Sequence, residues 1–334
     1  MMLMRRLAIL GLCPVLFAAC GGSSGDGGSA PPPDTLYVRA RGDDANSGES
    51  PAAALRTVAR AIQKLDQLGA GPGVTIYVGP GRYTGGIDID LVDATASEPL
   101  RLIGDPSGKR TGDPPGEVRI DAEGRNNALR IDTAFVVVQG FVLTGAEDSG
   151  VRIGAPDVLV FNNLIVDNNL GVAVRGRGAR ARLINNTIAD NRATGVVVAP
   201  SGTNAPTDVT LRNNIIQDSR NNISIEVSAE RPSALEGYSG DFNLVFAPEF
   251  EDQTRTYRPV SIRGENDINE DARFADAPRR DYHLVEGSPA IDGGTSALGD
   301  LLVELFQSTT TRTGELDAPP VDIGYHYPVP VEEE

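Results

Sequence analysis

The feature that most constrains the fold of this sequence is a short phrase repeated four times between Val136 and Val227. The copies read VVVQGFVLTG, VLVFNNLIVDN, ARLINNTIADN and VTLRNNIIQDS. Alignment on the second residue of the central turn gives intervals of 23, 23 and 28 residues between Gly140, Asn163, Asn186 and Asn214. A weaker fifth copy places Asn243 another 29 residues on. Self-similarity of this length predicts a solenoid.

Apolar side chains occupy every second position within each copy, which is the period of a strand and not of a helix. A further short strand is predicted after each turn, at Val151–Ile153, Val172–Val174, Val196–Val198 and Ile223–Ile225. Three short strands in about 23 residues make one coil of a right-handed parallel β-helix. Coils stack about 4.8 Å apart, so equivalent residues form columns. We therefore predict that Asn163, Asn186 and Asn214 form a buried amide ladder.

These coils resemble the repeats of the pectin-lyase-like β-helix superfamily. LYVRARGDDANSGESPAAALRTVARAI and GVTIYVGPGRYTGGIDI resemble the opening module of bacterial surface β-helix proteins, including relatives of the family 9 pectate lyases. DYHLVEGSPAIDGG and PVDIGYHYP resemble the closing module of extracellular β-helix proteins. The resemblance implies an all-β, right-handed parallel β-helix. It leaves the activity open, because this scaffold carries lyases, hydrolases, epimerases and non-catalytic adhesins.

Residues 1–20 are predicted to be a targeting segment. Arg5 and Arg6 precede an apolar run that ends at Phe17, which is too short to span a bilayer, and Ala18-Ala19-Cys20 follows. The segment resembles a bacterial lipoprotein signal with Cys20 as the acylated residue, although Phe17 stands where such signals usually have leucine. Gly21 then implies the outer membrane, on its periplasmic or its surface side. The alternative is simple secretion.

The remaining chain divides into a linker and one domain. Residues 21–33, GGSSGDGGSAPPP, have the composition of a flexible linker that stiffens at its prolines. The β-helix domain covers 34–330, with an N-terminal cap at 34–72, coils at 73–246 and an irregular C-terminal cap at 247–330. A helix is predicted between Ser50 as N-cap and Gly69 as the final residue. Its apolar stripe, which includes Leu55 and Ile62, would cover the open end of the solenoid.

The charge balance restricts the partners. The chain has 46 acidic and 30 basic residues and a net charge of −16 at pH 7. This excludes nucleic acid as a partner and, apart from a lipid anchor, anionic membrane surfaces. An acidic polysaccharide would be repelled unless cations bridged it, and the alternative is that the charge serves solubility. After cleavage, Cys20 is the one remaining cysteine, so no internal disulfide and no cysteine metal site can form.

Aspartates recur at the corner before the third strand of each coil. The superfamily resemblance implies that substrate lies along the outside of the strand that follows this corner. Carboxylates stacked about 4.8 Å apart either raise one another's pKa or recruit a cation, and clustered oxygens suit calcium. The candidate metal ligands are therefore Asp167, Asp190 and Asp218, aligned with Thr144. The alternative is that these are turn residues that bind their own backbone.

Two outward columns follow the corner. The first contains Arg152, Ala173, Val197 and Ser224, and the second contains Gly154, Arg175, Ala199 and Glu226. The candidate substrate-binding residues are Arg152, Arg175, Ser224 and Glu226.

The catalytic residues are less clear from the sequence. Family 9 relatives use a lysine base beside calcium, but the two lysines here lie on the predicted helix (Lys64) and in an insertion (Lys109), so that role does not transfer. Arginine is the base in other β-helix lyases, which makes Arg152 and Arg175 the catalytic candidates. Neither has a second basic residue in its predicted column, and arginine is a poor base.

The sequence therefore favours an envelope-tethered β-helix lipoprotein that binds extracellular or cell-surface polysaccharide. The first alternative is a polysaccharide lyase or a related carbohydrate-active enzyme, and the second is a structural surface protein. The sequence leaves open the glycan, the oligomeric state and the identity of any cation, for which calcium is the candidate.

Overall fold

Three parallel β-sheets form the body of the protein. The computed structural model describes residues 33–176, 178–199, 208–217, 223–227, 236–247 and 256–329, and all of them belong to one compact unit. In this part, the three sheets contain eight, seven and seven strands. The chain visits them in rotation, so each full coil adds one strand to each sheet. The predicted parallel β-helix is confirmed.

The strands are numbered in chain order. Sheet 1 contains β1 (Thr35–Val38), β2 (Thr75–Val78), β5 (Leu100–Gly104), β8 (Val136–Gln139), β11 (Val158–Phe161), β14 (Arg180–Ile184), β17 (Asp208–Arg212) and β20 (Tyr238–Asp241). Sheet 2 contains β3 (Gly81–Thr84), β6 (Val118–Asp121), β9 (Val142–Thr144), β12 (Leu164–Val166), β15 (Thr187–Ala189), β18 (Ile215–Gln217) and β21 (Leu244–Phe246). Sheet 3 contains β4 (Ile87–Ile89), β7 (Asn127–Ile131), β10 (Ser149–Ile153), β13 (Leu170–Arg175), β16 (Thr194–Ala199), β19 (Ile223–Val227) and β22 (Tyr257–Arg258).

The first asparagine ladder is confirmed and extends further than three residues. Asn163, Asn186, Asn214 and Asn243 are all 0% exposed. The Oδ1 atoms of Asn186, Asn214 and Asn243 each accept the backbone N–H of the asparagine in the preceding coil, at 3.0 Å. Asp267 ends the ladder, because its Oδ1 accepts the backbone N–H of Asn243 at 2.8 Å and its side-chain Nδ2 at 3.2 Å. The last position needs only an acceptor, and a carboxylate supplies it.

A second, shorter ladder was not predicted. Asn168 and Asn191 are fully buried at the corner between sheets 2 and 3. Asn191 Oδ1 accepts the backbone N–H of Asn168 at 3.1 Å, and Asn168 Oδ1 accepts the N–H of Ala146 at 3.0 Å. The corner between sheets 1 and 2 and the corner between sheets 2 and 3 therefore each contain an asparagine ladder. Its side chains form hydrogen bonds with backbone groups that the strands leave without partners.

The predicted alignment of the first copy is wrong by one residue. Gly140 is level with Asn162, and Phe141 is level with Asn163, whose Oδ1 accepts the N–H of Phe141 at 3.1 Å. Gly140 and Asn162 share a left-handed backbone, with φ of 79° and 53°. The shared left-handed conformation shows that Gly140 corresponds to Asn162. The sequence alignment had matched Gly140 with the asparagine that follows, Asn163. For the same reason, Thr144 is not level with Asp167.

The N-terminal helix is shorter than predicted. Helix α1 spans Val58–Leu68, and the side chain of Thr57 caps it by accepting the N–H of Arg60 at 3.2 Å. Gly69 caps its C-terminus, as predicted, in the left-handed conformation with φ of 59°. Ser50 instead caps a separate 3₁₀ turn, Pro51–Ala53, and the chain is extended after it. The reason is that Thr57 offers a second capping side chain just before the apolar stripe, so the helix begins there. The buried face of α1 packs against β1 and β4.

The closing segment ends the stack and then folds back along it. Tyr257 and Ile262 join the core of the last coil. Residues 271–329, here called the closing arm, include the hairpins β23 (Phe274–Asp276) with β24 (Asp281–Leu284) and β25 (Ser308–Thr309) with β26 (Tyr327–Pro328), and helix α2 (Leu302–Leu305). Leu305 packs against outward residues of sheet 1, and Tyr282 packs against those of sheet 2. The irregular ending was predicted, but its course along the outside was not.

Residues 1–32, which include Cys20 and the predicted signal, lie outside the described part. In the residues that are described, no helix is long and apolar enough to cross a membrane.

Candidate functional site

The outer face of sheet 3 carries a groove whose lining includes one of the predicted site residues, Arg152. The hydrophobic contacts of the closing arm described here are with sheets 1 and 2, so the groove lies on a different face. It has a volume of about 450 Å³, and its lining comes from β4, β7, β10 and the turns before these three strands. We call it the arginine groove, and its residues are Gly86, Asp88, Arg125, Asn126, Asn127, Arg130, Asp148 and Arg152.

Two arginines lie side by side in this groove. Arg130 on β7 is in register with Arg152 on β10, and Asp88 on β4 is in register with Arg130. Neighbouring parallel strands are about 4.8 Å apart, which brings the two guanidinium groups within reach of a single ligand. The prediction that Arg152 has no basic neighbour in its column is therefore wrong. Arg130 was missed because β7 lacks the asparagine corner that marks the later coils.

The arginines of the groove are only partly neutralised. Asp132 contacts both Arg130 and Arg152, the latter at 3.4 Å between Oδ1 and Nη1. Arg175, at the border of the groove, is 4.0 Å from a carboxylate oxygen of Asp148. Arg125 has no ion pair within the described residues. Two guanidinium groups that share one carboxylate retain donors for an anionic ligand.

Two buried polar atoms lie on the same strands as the arginine pair, each three residues before an arginine. The Oδ1 atom of Asn127 and the hydroxyl of Ser149 have no hydrogen-bond partner in the described part of the chain. Asn127 lines the groove, and Ser149 is its register partner on the next strand. Buried polar atoms in folded proteins nearly always have a partner, so exceptions call for an explanation. A hydroxyl-rich ligand in the groove would provide one for Asn127, whereas Ser149 is fully buried and does not line the groove.

Glu226 is not in the predicted column. It is level with Val197, and therefore in the column of Arg152, three strands away from it, where it contacts Arg258 at 3.5 Å. Ser224 falls at the register of Gly195, and the placement of its side chain lies outside what is described. The error is a slip of two residues. Such a slip keeps the inward and outward alternation intact, so the sequence pattern cannot reveal it.

The corner aspartates contact the closing arm. Asp167 forms an ion pair of 2.7 Å with Arg280, and Asp190 accepts a hydrogen bond of 2.8 Å from the hydroxyl of Tyr282. Burial, followed by the charge of Asp190, raises the pKa of Tyr282 above its usual value, so the phenol remains a donor. Both aspartates have a left-handed backbone, with φ of 58° and 53°, as expected for turn residues.

The structure gives no support to the predicted calcium site. Asp218 lies outside the described part of the chain. Among the residues that are described, no three His, Cys, Asp or Glu side chains are arranged to hold a metal ion. Asp167 and Asp190 instead attach the closing arm to the solenoid. Calcium binding by the full set of three remains a prediction.

No lysine or histidine is among the described residues that line the groove, and its carboxylates are those of Asp88 and Asp148. Lys64 contacts the carbonyl of Ser47 and the carboxylate of Glu49, and Lys109 lies in the insertion, so neither lines the groove. These are the only lysines of the chain. Arg152 lines the groove and Arg175 lies 4.0 Å from its Asp148, but a guanidinium group is a poor base, and a catalytic role for either arginine remains a prediction.

The comparisons with known proteins bear on the fold. No protein-family model and no curated protein matches this sequence. Similar solved structures include the pectate lyase Pel9A (15% identity, covering 64% of this chain and 63% of that one, TM-score 0.43). They also include a GH136 lacto-N-biosidase from Eubacterium ramulus, with 13% identity over 64% of this chain and 56% of that one and a TM-score of 0.41. A third is the PL6 family alginate lyase AlyGC, with 16% identity over 64% of this chain and 28% of that one and a TM-score of 0.41. The matches span less than two thirds of each of these proteins. All three TM-scores are below 0.5, and the parallel β-helix is established by the sheet topology of this chain.

Proposed function

We propose that this protein binds an anionic polysaccharide, of the polyuronate class, along the outer face of sheet 3. The observation that carries the proposal is the register pair of Arg130 and Arg152, which line an open groove and share Asp132 as an ion-pair partner. A guanidinium group presents a planar fork of donors that matches a carboxylate, and two forks on adjacent strands suit a ligand with repeated carboxylates.

The location of these arginines within an acidic chain supports the choice of an anionic ligand. The net charge of −16 repels polyanions from the molecule as a whole. Screening limits that repulsion to about 8–10 Å at physiological salt, whereas contacts inside the groove are direct. The described lining holds three arginines, Arg125, Arg130 and Arg152, against two aspartates, Asp88 and Asp148. Binding is local, and a bridging cation is not required.

Binding, rather than cleavage, is the activity we propose. A β-eliminating lyase has to remove a proton next to the uronate carboxylate. The groove supplies positive charge for that carboxylate, but it contains no lysine or histidine to accept the proton. Lyase activity is the alternative outcome of the experiments below.

We also propose that the protein is tethered to the outer membrane through a lipid on Cys20. The support for this is the sequence of residues 1–33, a charged start, a short apolar run, small residues before Cys20 and a linker rich in glycine, serine and proline. An anchored β-helix with a glycan groove would hold polysaccharide at the cell envelope.

The proposal is tested by the affinity for defined anionic oligosaccharides. Binding of oligogalacturonate and oligoalginate is measured by calorimetry for the wild type, Arg130→Ala and Arg152→Ala. Each removed contact to a charged group should weaken binding about 10- to 100-fold. Arg152→Lys should recover little of the loss, because lysine keeps the charge but not the fork.

The matched control is Arg182→Ala, which removes an exposed arginine from β14 on sheet 1. It should leave the affinity within about twofold, since surface charges away from the site act weakly. Equal affinities for the wild type and Arg130→Ala would contradict the proposal. So would an equal loss in Arg182→Ala, because binding would then follow overall charge.

A further inference from the structure

A second cleft lies between the insertion 105–117 and the closing arm. It has a volume of about 450 Å³ and includes Pro115, Glu117, Asp281, His283, Tyr325 and Tyr327 in its lining. We call it the aromatic cleft. None of its lining residues belongs to the arginine groove.

Aromatic rings form one wall of this cleft in a fixed arrangement. The ring of His283 stacks on Tyr327 with centroids 3.7 Å apart and an interplanar angle of 18°. Tyr325 meets Tyr327 edge to face at 4.7 Å and 74°. Pro106 and Pro115, from the insertion, also line the cleft. Flat, rigid apolar surfaces of this kind suit the C–H face of a sugar ring.

The charged groups of the aromatic cleft already have partners. Asp281 accepts hydrogen bonds from Arg312 at 2.6 Å and from His283 Nδ1 at 2.5 Å. Glu117 pairs with Arg119 at 2.6 Å, and Arg280 pairs with Asp167 at 2.7 Å. A charged ligand would have to displace one of these partners. The cleft therefore favours an uncharged ligand, in contrast to the arginine groove.

The hydroxyl of Tyr327 has no partner in this cleft. Its oxygen is buried and makes no hydrogen bond within the described residues. Burial, followed by Tyr325, Asp281 and Glu117, raises the pKa of Tyr327 well above its usual value, so the phenol stays protonated. A buried donor without an acceptor is rare in a folded protein, and a ligand oxygen would satisfy it.

We propose that the aromatic cleft binds a neutral sugar residue. The sugar packs its C–H face on the aromatic and proline side chains, and one of its oxygens accepts a hydrogen bond from the hydroxyl of Tyr327. This site is independent of the arginine groove. The protein would then hold a charged and an uncharged carbohydrate at two separate places.

The test uses Tyr327→Phe, which removes only the hydroxyl. Binding of four neutral tetrasaccharides, built from glucose, xylose, mannose or galactose, is measured by calorimetry and by saturation-transfer NMR. We expect at least one to bind the wild type, and Tyr327→Phe to bind it about five- to tenfold more weakly. The melting temperature should not fall, because the lost hydroxyl makes no hydrogen bond with the residues that the structure describes.

The matched control is Tyr238→Phe at the far end of sheet 1, which removes another buried hydroxyl that has no partner among the described residues. It should leave the affinity for the neutral sugar unchanged.

The proposal is wrong if none of the four sugars binds at millimolar concentration, or if Tyr327→Phe binds as well as the wild type. It is also wrong if Arg130→Ala abolishes binding of the neutral sugar, since the sugar would then occupy the arginine groove. Binding of oligogalacturonate should be the same in Tyr327→Phe and the wild type, which separates the two sites.

Discussion

Replacing Asn186 with leucine removes the middle of the first asparagine ladder, and we expect a large loss of stability. Asn186 Oδ1 is the acceptor for the backbone N–H of Asn163 at 3.0 Å and for its Nδ2 at 3.2 Å. Asn186 Nδ2 in turn donates to Asn214 Oδ1 at 3.0 Å and to the carbonyl of Val160 at 2.9 Å. Leucine has a similar size but can make none of these contacts.

The size of the loss follows from the groups left without partners. The buried N–H of Asn163 loses its acceptor, which costs about 1–3 kcal/mol, and each further lost hydrogen bond adds about 1 kcal/mol. The expected decrease in the free energy of unfolding is therefore about 2–5 kcal/mol. Urea unfolding followed by far-ultraviolet circular dichroism should show a midpoint about 1 M lower, for a slope of about 3 kcal/mol/M.

The control is Asn126→Leu, the same chemical change at an exposed position of the turn before β7. It should alter the free energy of unfolding by no more than about 0.5 kcal/mol. An unchanged midpoint for Asn186→Leu, or equal shifts for both variants, would refute the view that the ladder stabilises the coils.

Three further predictions concern the closing arm, the anchor and catalysis. Burial raises the pKa of Asp281, but hydrogen bonds from His283 and Arg312 outweigh it and lower that pKa below 3.8. Its contribution to stability is then present above pH 3.8 and is lost as the pH falls through the lowered pKa. Urea midpoints of Asp281→Asn should lie below those of the wild type at pH 7 and converge with them in acid, and parallel curves would contradict this. Metabolic labelling with a tagged fatty acid should mark the wild type but not Cys20→Ser, and an unlabelled wild type in the medium would exclude the lipid anchor. Purified protein with calcium and polyuronates should release no unsaturated ends that absorb in the ultraviolet, whereas steady release would favour the lyase alternative.

The coils and the first ladder could be predicted because local chemistry determines them. An asparagine that recurs between alternating apolar residues is expected at a buried corner of each coil. The asparagines of the first ladder, from Asn163 in one coil to Asn243 three coils later, are all buried there. The second ladder was missed because its members, Asn168 and Asn191, follow Asp167 and Asp190. The sequence pattern at these positions is equally typical of an ordinary turn.

The register of the coils was harder to predict than their existence. Because side chains alternate with a period of two along a strand, a slip of two residues does not change which of them point outward. For this reason Glu226 was predicted in the column of Arg175. Gly140 was aligned by its neighbours, although its positive φ makes it equivalent to Asn162. Both errors moved residues between columns without changing the predicted fold.

The arginine groove and the closing arm depend on tertiary contacts that leave little local signal. Arg130 becomes the neighbour of Arg152 only because β7 and β10 pair, 22 residues apart in the chain. The closing arm packs on sheets 1 and 2 because their outward residues, such as Phe161 and Ile184, are apolar. The alternating pattern showed the buried side of each strand clearly, but it did not show that the outer side is covered as well.

The most direct test of the proposed function is a crystal structure of the protein with bound oligogalacturonate. We expect the sugar along sheet 3, with carboxylate oxygens about 2.7–2.9 Å from the guanidinium nitrogens of Arg130 and Arg152. An oligogalacturonate found in the aromatic cleft or on sheet 1, with Arg130 and Arg152 still paired only to Asp132, would contradict the proposed function.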